Sequence, residues 1–132
     1  MIQEEFVGLE TAKLLNEKGF NVPTYDFYEF EYDQPVKKHS QRALPMNWND
    51  DDDDTLSCPT QQMACRWLRE AHNIIIDIRW SYNSKGFIDY QYSIYKVFPK
   101  PYYLVESERN EYWNSYESAI EEAIKYSLEN LI

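Results

Sequence analysis

Several residue types from which functional sites are built are scarce in this chain. Three glycines in 132 residues leave almost no material for a glycine-rich phosphate-binding loop. Two cysteines are too few for a disulfide framework. The sequence also has no Walker loop, dinucleotide-binding fingerprint, serine-hydrolase elbow, zinc-protease motif or paired-cysteine zinc pattern. We therefore predict that the protein is not an enzyme and that it uses no cofactor and no bound metal.

Long apolar runs and an N-terminal targeting signal are missing as well. The longest purely aliphatic run comprises Ile74, Ile75 and Ile76, whereas a membrane-spanning helix needs about 20 apolar residues. The first ten residues, MIQEEFVGLE, are acidic and lack the basic and apolar regions of a signal peptide. We expect a protein of the reducing cytoplasm that does not associate with a membrane.

Basic charge is in deficit, and the net charge is −10. Residues 1–56 contain 13 acidic and 5 basic residues, whereas residues 57–132 contain 10 and 8. Five of the acids form one run, Asp50, Asp51, Asp52, Asp53 and Asp54. Such a chain repels the phosphate backbone, so we expect no direct non-specific binding of nucleic acid. A basic protein partner and mimicry of nucleic-acid charge both stay open.

The chain nevertheless has enough apolar material for a core, since 43% of its residues are hydrophobic and 17% aromatic. Its length fits a single domain over residues 1–132. A first helix is predicted over residues 9–18, with Gly8 as the N-cap and Gly19 just after its end. Leu15 and Phe20 then occupy the positions of the hydrophobic contact in a Schellman ending.

The next segment is aromatic at alternate positions. Tyr28, Phe30 and Tyr32 alternate with acidic residues within 25–33, which predicts a strand. Residues 34–41 are predicted as a polar connection. Residues 42–48 are predicted as a short edge strand, because Pro45 cannot donate to a central ladder. The acidic run is predicted to lie in a loop around 49–56.

A second helix is predicted from near Pro59, with Ser57 or Cys58 at its N-cap. Arg66 and Arg69 fall on its polar side and therefore face solvent. Its predicted buried face comprises Thr60, Met63, Ala64, Trp67, Leu68 and Ala71.

After this helix the pattern changes to alternation. Residues 74–82 and 87–98 flank the turn sequence NSKG and predict a β-hairpin with one buried side. A third strand over Tyr102–Glu106 and a helix over about Tyr116–Leu131, capped by Asn114 or Ser115, complete the chain. The predicted buried side comprises Ile74, Ile76, Ile78, Trp80, Tyr82, Ile88, Tyr90, Tyr92, Ile94 and Phe98.

These elements define an α+β fold class. Three amphipathic helices are expected to pack on a mainly antiparallel β-sheet, in the order α-β-(β)-α-β-β-(β)-α.

Cys58, Cys65 and His72 are spaced seven residues apart and suggest a metal site at first sight. Seven residues of helix rise about 10.5 Å, whereas the ligands of one zinc ion lie within about 2.3 Å of it. We therefore predict no metal site. A nucleophilic Cys58 at a helix N-terminus, with His39 or His72 as its base, is a weaker hypothesis.

The aspartate run does not match a calcium loop. An EF-hand needs a glycine at its sixth position and a glutamate at its twelfth, but the twelfth residue from Asp50 is Gln61. We interpret the run as a solvated acidic loop. Ordering of this loop by helix capping, a cation or a partner stays open.

The aromatic residues have two interpretations. Trp48, Trp67, Trp80 and Trp113 fill the core or, alternatively, line a ligand pocket. The second strand of the hairpin is aromatic on both faces, with Tyr90 and Tyr92 on one and Phe87 and Tyr95 on the other. An exposed aromatic face favours a homo-oligomer or a surface for a partner.

Three segments carry a resemblance to a known family: ETAKLLNEKGF (Glu10–Phe20), SCPTQQMACRWLREAHNIIIDI (Ser57–Ile78) and SYESAIEEAIKYSLENLI (Ser115–Ile132). With these segments the chain resembles small uncharacterised proteins encoded by phages, prophages and integrated elements of gut Bacteroidales. The middle of the chain, with the aspartate run, departs from the family. The resemblance implies an origin and an intracellular location, but it implies no mechanism. The family's recognisable core corresponds here to Pro59, Trp67, Leu68, Arg69, Glu70, His72 and Asn73.

The leading hypothesis is a non-enzymatic interaction protein of a mobile element that binds a host or phage protein. Its expected interaction surface is the run Asp50–Asp54 together with Arg66 and Arg69. The alternative is a protein that binds or sequesters a small ligand such as a nucleotide, with Arg66 or Arg69 contacting phosphate. An enzyme that uses Cys58 or a pair of carboxylates is the third hypothesis.

Overall fold

A computed structural model describes residues 3–50, 54–97, 100, 102–107 and 111–132, with the backbone alone for 102–104. This part of the chain forms three helices and two three-stranded antiparallel sheets. The predicted α+β class is confirmed, with the strands divided between two sheets. The chain divides into two compact units, Met1–Ala64 and Cys65–Ile132. None of the helices in the described ranges is long and apolar enough to cross a lipid bilayer.

Helix α1 (Leu9–Glu17) of the first unit ends as predicted. The Phe20 N–H donates to the Leu15 carbonyl at 2.9 Å, and the Gly19 N–H donates to the Asn16 carbonyl at 3.1 Å. These are the two hydrogen bonds of a Schellman motif, and Gly19 adopts the positive φ of 89° that the motif requires. Leu15 and Phe20 are both buried, so the end of the helix is fixed to the core. Helix α1 packs on strand β3 (Thr55–Ser57).

The first unit contains a hairpin that the sequence analysis missed. Strand β1 (Asp26–Glu31) pairs with β2 (Gln34–His39), so the predicted polar connection over 34–41 is wrong. The two-residue turn consists of Tyr32 and Asp33, with φ angles of 51° and 63°. Two positive φ angles define the tight turn that suits a hairpin, but its usual sequence is Asn-Gly. Tyr32, predicted on the aromatic face of the strand, is fully exposed in this turn.

Strand β3 pairs with the other edge of β1 and gives the sheet order β2-β1-β3. The loop that was predicted around 49–56 therefore ends at Asp54. The predicted edge strand over 42–48 is wrong, because this segment contributes only an isolated bridge between Met46 and Thr24. Its main chain instead turns so that the Trp48 ring stacks on Phe27, with ring centroids 3.8 Å apart.

Helix α2 (Gln61–His72) begins two residues later than predicted. Its cap is Thr60, whose hydroxyl oxygen accepts a hydrogen bond from the Met63 N–H at 3.1 Å. The predictions of Ser57 and Cys58 as caps are therefore wrong. Ala71, expected on the buried face, is exposed, because the helix ends one residue later and Asn73, with a φ of 59°, turns the chain into the next strand. The other members of the predicted face are buried or half-buried: Thr60, Met63, Ala64, Trp67 and Leu68.

The second unit contains the predicted hairpin. Strands β4 (Ile74–Tyr82), β5 (Ile88–Lys96) and β6 (Tyr102–Glu106) form a sheet in the order β4-β5-β6. The bounds of β6 agree with the prediction. Helix α3 (Tyr116–Asn130) is capped by Ser115, whose Oγ accepts from the Ser118 N–H at 3.1 Å. Helix α3 packs on β4 and β5.

The apolar face of this hairpin is covered only in part, which corrects the prediction of a wholly buried side. Ile74, Tyr92 and Ile94 are buried, whereas Trp80 and Tyr82 are exposed. The reason is the position of α3, whose first residue, Tyr116, contacts Tyr90 with ring centroids 6.2 Å apart. The strands extend past this start of the helix. Phe98, also predicted on this face, lies outside the described residues.

Candidate functional site

Four large apolar side chains are exposed at the end of the β4–β5 hairpin, three of them on one face and Phe87, by strand alternation, on the other. We call this the hairpin-end surface, and it consists of Trp80, Tyr82, Phe87 and Ile88. Their exposed fractions are 62%, 67%, 68% and 41%. Trp80 and Tyr82 meet edge to face with ring centroids 5.6 Å apart, and Ile88 lies directly opposite Tyr82. Clustered exposed apolar residues of this kind mark interaction sites on soluble proteins.

The turn beneath this surface is held by one side chain, that of Asn83. Its Oδ1 accepts hydrogen bonds from the Lys85 N–H at 2.9 Å and the Phe87 N–H at 3.1 Å. The backbone closes the same turn, because the Asn83 N–H donates to the Phe87 carbonyl at 2.8 Å. The hairpin-end surface is therefore presented by a hydrogen-bonded turn, which lowers the entropic cost of binding.

The acidic run is only partly described, since Asp51, Asp52 and Asp53 lie outside the described residues. Asp50 and Asp54 are exposed. The residues on both sides are bonded to each other. The Thr55 hydroxyl donates to the Trp48 carbonyl at 2.7 Å, and the Ser57 N–H donates to Asn49 Oδ1 at 2.9 Å. The two ends of the acidic segment are thus anchored to the core of the first unit.

Arg66 and Arg69 are exposed on α2, as predicted. Arg66 Nε donates to the Glu70 carboxylate at 2.9 Å in an exposed pair four residues apart. Such pairs contribute little to stability. Neither arginine lines the cavity of about 260 Å³ described in the first unit or the cavity of about 430 Å³ described in the second. The arginines belong to the second unit and the aspartates to the first. We therefore treat them as two separate surface features.

The predicted metal candidates do not form a cluster. Among residues 3–50, 54–97, 100, 102–107 and 111–132, no three His, Cys, Asp or Glu side chains are placed to hold one metal ion. Cys58 lies outside α2, is fully buried, and has its Sγ 3.5 Å from the Val7 carbonyl oxygen that accepts its hydrogen bond. Burial raises the pKa of the Cys65 thiol to about 11, although Arg69 opposes the shift. The Cys65 thiol is therefore not an activated nucleophile.

His72 also has a structural environment. Its ring meets Trp67 edge to face, with centroids 4.8 Å apart. Burial, and to a lesser extent the charge of Lys96, lowers the pKa of His72 below its ordinary value. His72 is therefore a half-buried residue beside the core.

The missed β1–β2 hairpin creates a His–Asp pair that sequence reasoning did not find. His39 lies directly opposite Asp26, and its Nδ1 is 2.6 Å from an Asp26 carboxylate oxygen. This pair borders a cavity of about 260 Å³ in the first unit, which is also lined by Phe6, Tyr25 and Met63. Asp26 and His39 lie at equal distances along the chain from the two-residue turn. This spacing indicates the pair only after the hairpin has been recognised.

Cys58 borders the same cavity, but it is not placed to react with His39 as its base. Its N–H donates to the Asp26 carbonyl at 3.0 Å, so Asp26 lies between His39 and Cys58 across the sheet. Two strand spacings separate the backbones of Cys58 and His39 by about 9.6 Å. The Asp26 carboxylate also binds the His39 imidazole directly. The hydrogen bond described for the Cys58 thiol runs to the Val7 carbonyl, which is not a base.

The second unit has a cavity of about 430 Å³ over the sheet and α3. Its aromatic residues are Tyr92, Trp113 and Tyr126, with the Tyr92 ring centroid 5.4 Å from that of Trp113. Among the described residues, four carboxylates and one lysine line its polar side: Glu106, Glu111, Glu122, Glu129 and Lys125. This charge balance disfavours a phosphate group, so the cavity does not suit a nucleotide.

Comparison with known proteins adds no relative, since no family model, no curated protein and no solved structure matches this chain.

Proposed function

We propose that this protein is a non-enzymatic interaction module of a phage or related mobile element, and that it binds a host or phage protein in the cytoplasm of the host cell. The observation that carries the proposal is the hairpin-end surface. Trp80, Tyr82 and Ile88 are exposed on one face of the hairpin end and Phe87 is exposed on the other, in a protein whose net charge is −10. The partner binds there through an apolar patch of its own, because the hydrophobic effect rewards the burial of apolar area on both sides.

The origin in a mobile element rests on the three family-like segments. The non-enzymatic part rests on the two cysteines and the His–Asp pair. Cys58 is buried, the pKa of Cys65 is raised, and the His39 imidazole is engaged by the Asp26 carboxylate. An interaction surface on the acidic run and on Arg66 and Arg69 stays a prediction, and the acidic run favours a partner with basic residues.

The test compares two pairs of lysine substitutions. The double variant Phe87→Lys/Ile88→Lys removes half of the hairpin-end surface, and Tyr32→Lys/Val36→Lys makes the same chemical change on exposed residues of the β1–β2 hairpin. Each tagged protein is purified gently from a Bacteroidales host, and its complexes are weighed by native mass spectrometry. We expect the wild type and the Tyr32→Lys/Val36→Lys control to retain a stoichiometric protein that Phe87→Lys/Ile88→Lys loses.

Two outcomes contradict the proposal. A wild type without any stoichiometric protein partner removes the interaction function. A partner that stays bound to Phe87→Lys/Ile88→Lys places the interaction elsewhere on the molecule.

Binding of a small ligand is a second candidate function, favoured by the 260 Å³ cavity of the first unit. Phe6 and Met63 supply apolar walls, and the Tyr25 ring stacks near His39 with centroids 6.0 Å apart. A small planar molecule with one hydrogen-bonding group fits this chemistry. Thermal shift with a panel of nucleotides and aromatic metabolites tests it, with His39→Ala as the binding variant and Gln34→Ala on the same strand as the control. The candidate fails if no compound raises the melting temperature of the wild type.

A further inference from the structure

Strand β4 has an open edge. It lies at one side of the sheet order β4-β5-β6, so only its other side pairs with β5. The Asn83 N–H donates to the Phe87 carbonyl and the Val97 N–H donates to the Asn73 carbonyl. Because hydrogen-bonded pairs alternate along an antiparallel ladder, the odd-numbered residues between them bond to β5. The even-numbered residues therefore point their N–H and C=O groups outward: Ile74, Ile76, Ile78, Trp80 and Tyr82.

No backbone hydrogen bond from another described residue reaches these five outward positions. The far edge of β5 differs, because it is covered by β6 and by a bridge between Tyr90 and Trp113. A long uncovered edge is a template for another strand. The remaining question is which strand has a sequence that fits it.

The sequence of β4 fits a second copy of itself. When two β4 strands pair antiparallel about a two-fold axis at Ile78, residues 75–81 find a partner, whereas Ile74, which would face Tyr82, is buried within its own chain. Residues opposite each other have side chains on the same face. On one face Ile76 then meets Trp80, and Ile78 meets Ile78. On the other face Asp77 of each copy meets Arg79 of the other, which gives two pairs of opposite charge.

The neighbouring two-fold registers fail for specific reasons. A shift by one residue centres the axis on Asp77 or on Arg79, and so places like charges directly opposite each other. A half-residue shift sets Asp77 against an apolar residue and breaks the apolar face. Centring on Trp80 pairs only Ile78 to Tyr82 within the strand. Among these registers, the one about Ile78 therefore combines the longest pairing with continuous apolar contact and opposite charges.

We infer that the protein forms a homodimer in which the two β4 strands pair antiparallel about Ile78, so that the two β4-β5-β6 sheets join into one six-stranded sheet. This inference does not depend on the proposed function. Phe87 and Ile88 lie on the β5 side of the hairpin end, one strand away from the junction, so they stay accessible to a different protein.

Charge exchange at the junction tests the dimer. The variant Asp77→Arg places Arg against Arg, and Arg79→Asp places Asp against Asp, whereas the double variant restores opposite charges. We expect each single variant to raise the dimer Kd at least tenfold in sedimentation experiments, and the double variant to return it to near the wild-type value. Arg79 also pairs with Glu106 within the chain, so Glu106→Gln, which removes this competing carboxylate, serves as the control and is expected to keep the dimer at least as tight as in the wild type.

Disulfide trapping tests the register even where a charge variant folds poorly. Ile78→Cys brings two cysteines opposite each other, about 5.5 Å apart at Cα in a hydrogen-bonded pair, which is within disulfide range. Tyr82→Cys is the matched control, because its partner is Ile74. Mild oxidation is expected to link Ile78→Cys into dimers and to leave Tyr82→Cys monomeric.

The inference is overturned if the pure wild type sediments as a monomer at every concentration from about 1 μM to about 100 μM. It is equally overturned if Ile78→Cys does not cross-link, or if single charge variants dimerise like the wild type. These results leave the proposed function intact, because partner binding is read from Phe87→Lys/Ile88→Lys in host extracts.

Discussion

The edge strand of the first hairpin, β2, carries Pro35, Lys37 and Lys38 within six residues, whereas the edge strand of the second, β4, has neither proline nor lysine over nine. Proline lacks the N–H that another strand would need, and lysines keep an edge hydrated and repel a like edge. Strand β2 therefore has the usual protection of a sheet edge. Strand β4 lacks it and ends in two exposed aromatic residues, Trp80 and Tyr82.

The lysines of β2 are also engaged within their own hairpin. Lys38 bonds to the carboxylates of Glu31 and Glu29, and these hydrogen bonds raise its pKa, with Glu31 contributing most. The Lys37 ammonium lies 3.6 Å from the centre of the Phe6 ring. These contacts hold cationic side chains along the β2 edge.

An open edge is therefore not a general property of this chain. One sheet is protected and the other is not, although both belong to the same acidic protein. We interpret the unprotected β4 as a surface that is kept available for binding, and the following predictions test this contrast.

The largest expected effect concerns the core beneath each hairpin. Ile94 is fully buried in β5, whereas Val36 in β2 is exposed. Ile94→Ala is expected to lower the free energy of unfolding by about 2–5 kcal/mol, and Val36→Ala to change it by less than about 0.5 kcal/mol. Urea denaturation followed by tryptophan fluorescence measures both. Equal effects of the two substitutions would contradict the assignment of the core.

The second prediction transfers protection to the open edge. Ile78→Lys places an ammonium group at the centre of β4, and we expect self-association to weaken at least about tenfold, or about 1.4 kcal/mol. Val36→Lys makes the same kind of change on the β2 edge and is expected to leave self-association unchanged. Analytical ultracentrifugation compares them. A Val36→Lys variant that dissociates as much as Ile78→Lys would show that the effect is one of net charge.

The third prediction concerns the turns. Gly86 has a φ of 82°, and a Cβ added to it would meet no atom within 4 Å, so Gly86→Ala introduces backbone strain without a clash. We expect it to cost about 1 kcal/mol of stability. In the first hairpin, Tyr32→Asn/Asp33→Gly supplies the preferred residues for two positive φ angles and is expected to gain up to about 1 kcal/mol. Thermal and urea unfolding measure both, and a stabilising Gly86→Ala would contradict the turn geometry.

The smallest expected effect is on the rate at which the two cysteines, one in each unit, are alkylated. This prediction involves no change in stability. With a pKa of about 11, the Cys65 thiol is ionised to about one part in a thousand at pH 8. Alkylation of native protein by iodoacetamide is therefore expected to be slow at pH 8 and to accelerate as the pH rises towards 11. Cys58, fully buried, is expected to react only after unfolding. Mass spectrometry of each cysteine peptide follows both, and rapid native labelling at pH 8 would contradict the burial.

Much of the local structure could be predicted because its causes lie close together in the sequence. The end of α1 depends on Gly19 and Phe20, the start of α3 on Ser115, and the second hairpin on alternation around a turn of Asn83 and Gly86. In each case the residues that form the decisive hydrogen bonds are within five positions of one another. The identity of these residues was therefore sufficient to predict each of these local structures.

The first hairpin and strand β3 were missed because their causes are distant or unusual. Tyr32 and Asp33 adopt positive φ angles, which their residue types do not predict. Strand β3 forms because Thr55–Ser57 pairs with β1, about 28 residues earlier in the chain. The pair of Asp26 and His39, and with it the cavity of the first unit, became visible only through this pairing.

Residue type and spacing were enough to predict the α+β class and the second hairpin, and to show that familiar catalytic motifs are absent from the sequence. Which part of the apolar hairpin face is open depends instead on the packing of distant elements. Ile74 and Trp80 belong to the same alternating pattern, yet one is buried and the other exposed. They differ because α3 begins at Tyr116, beside Tyr90, and the strands continue beyond the surface that this helix covers.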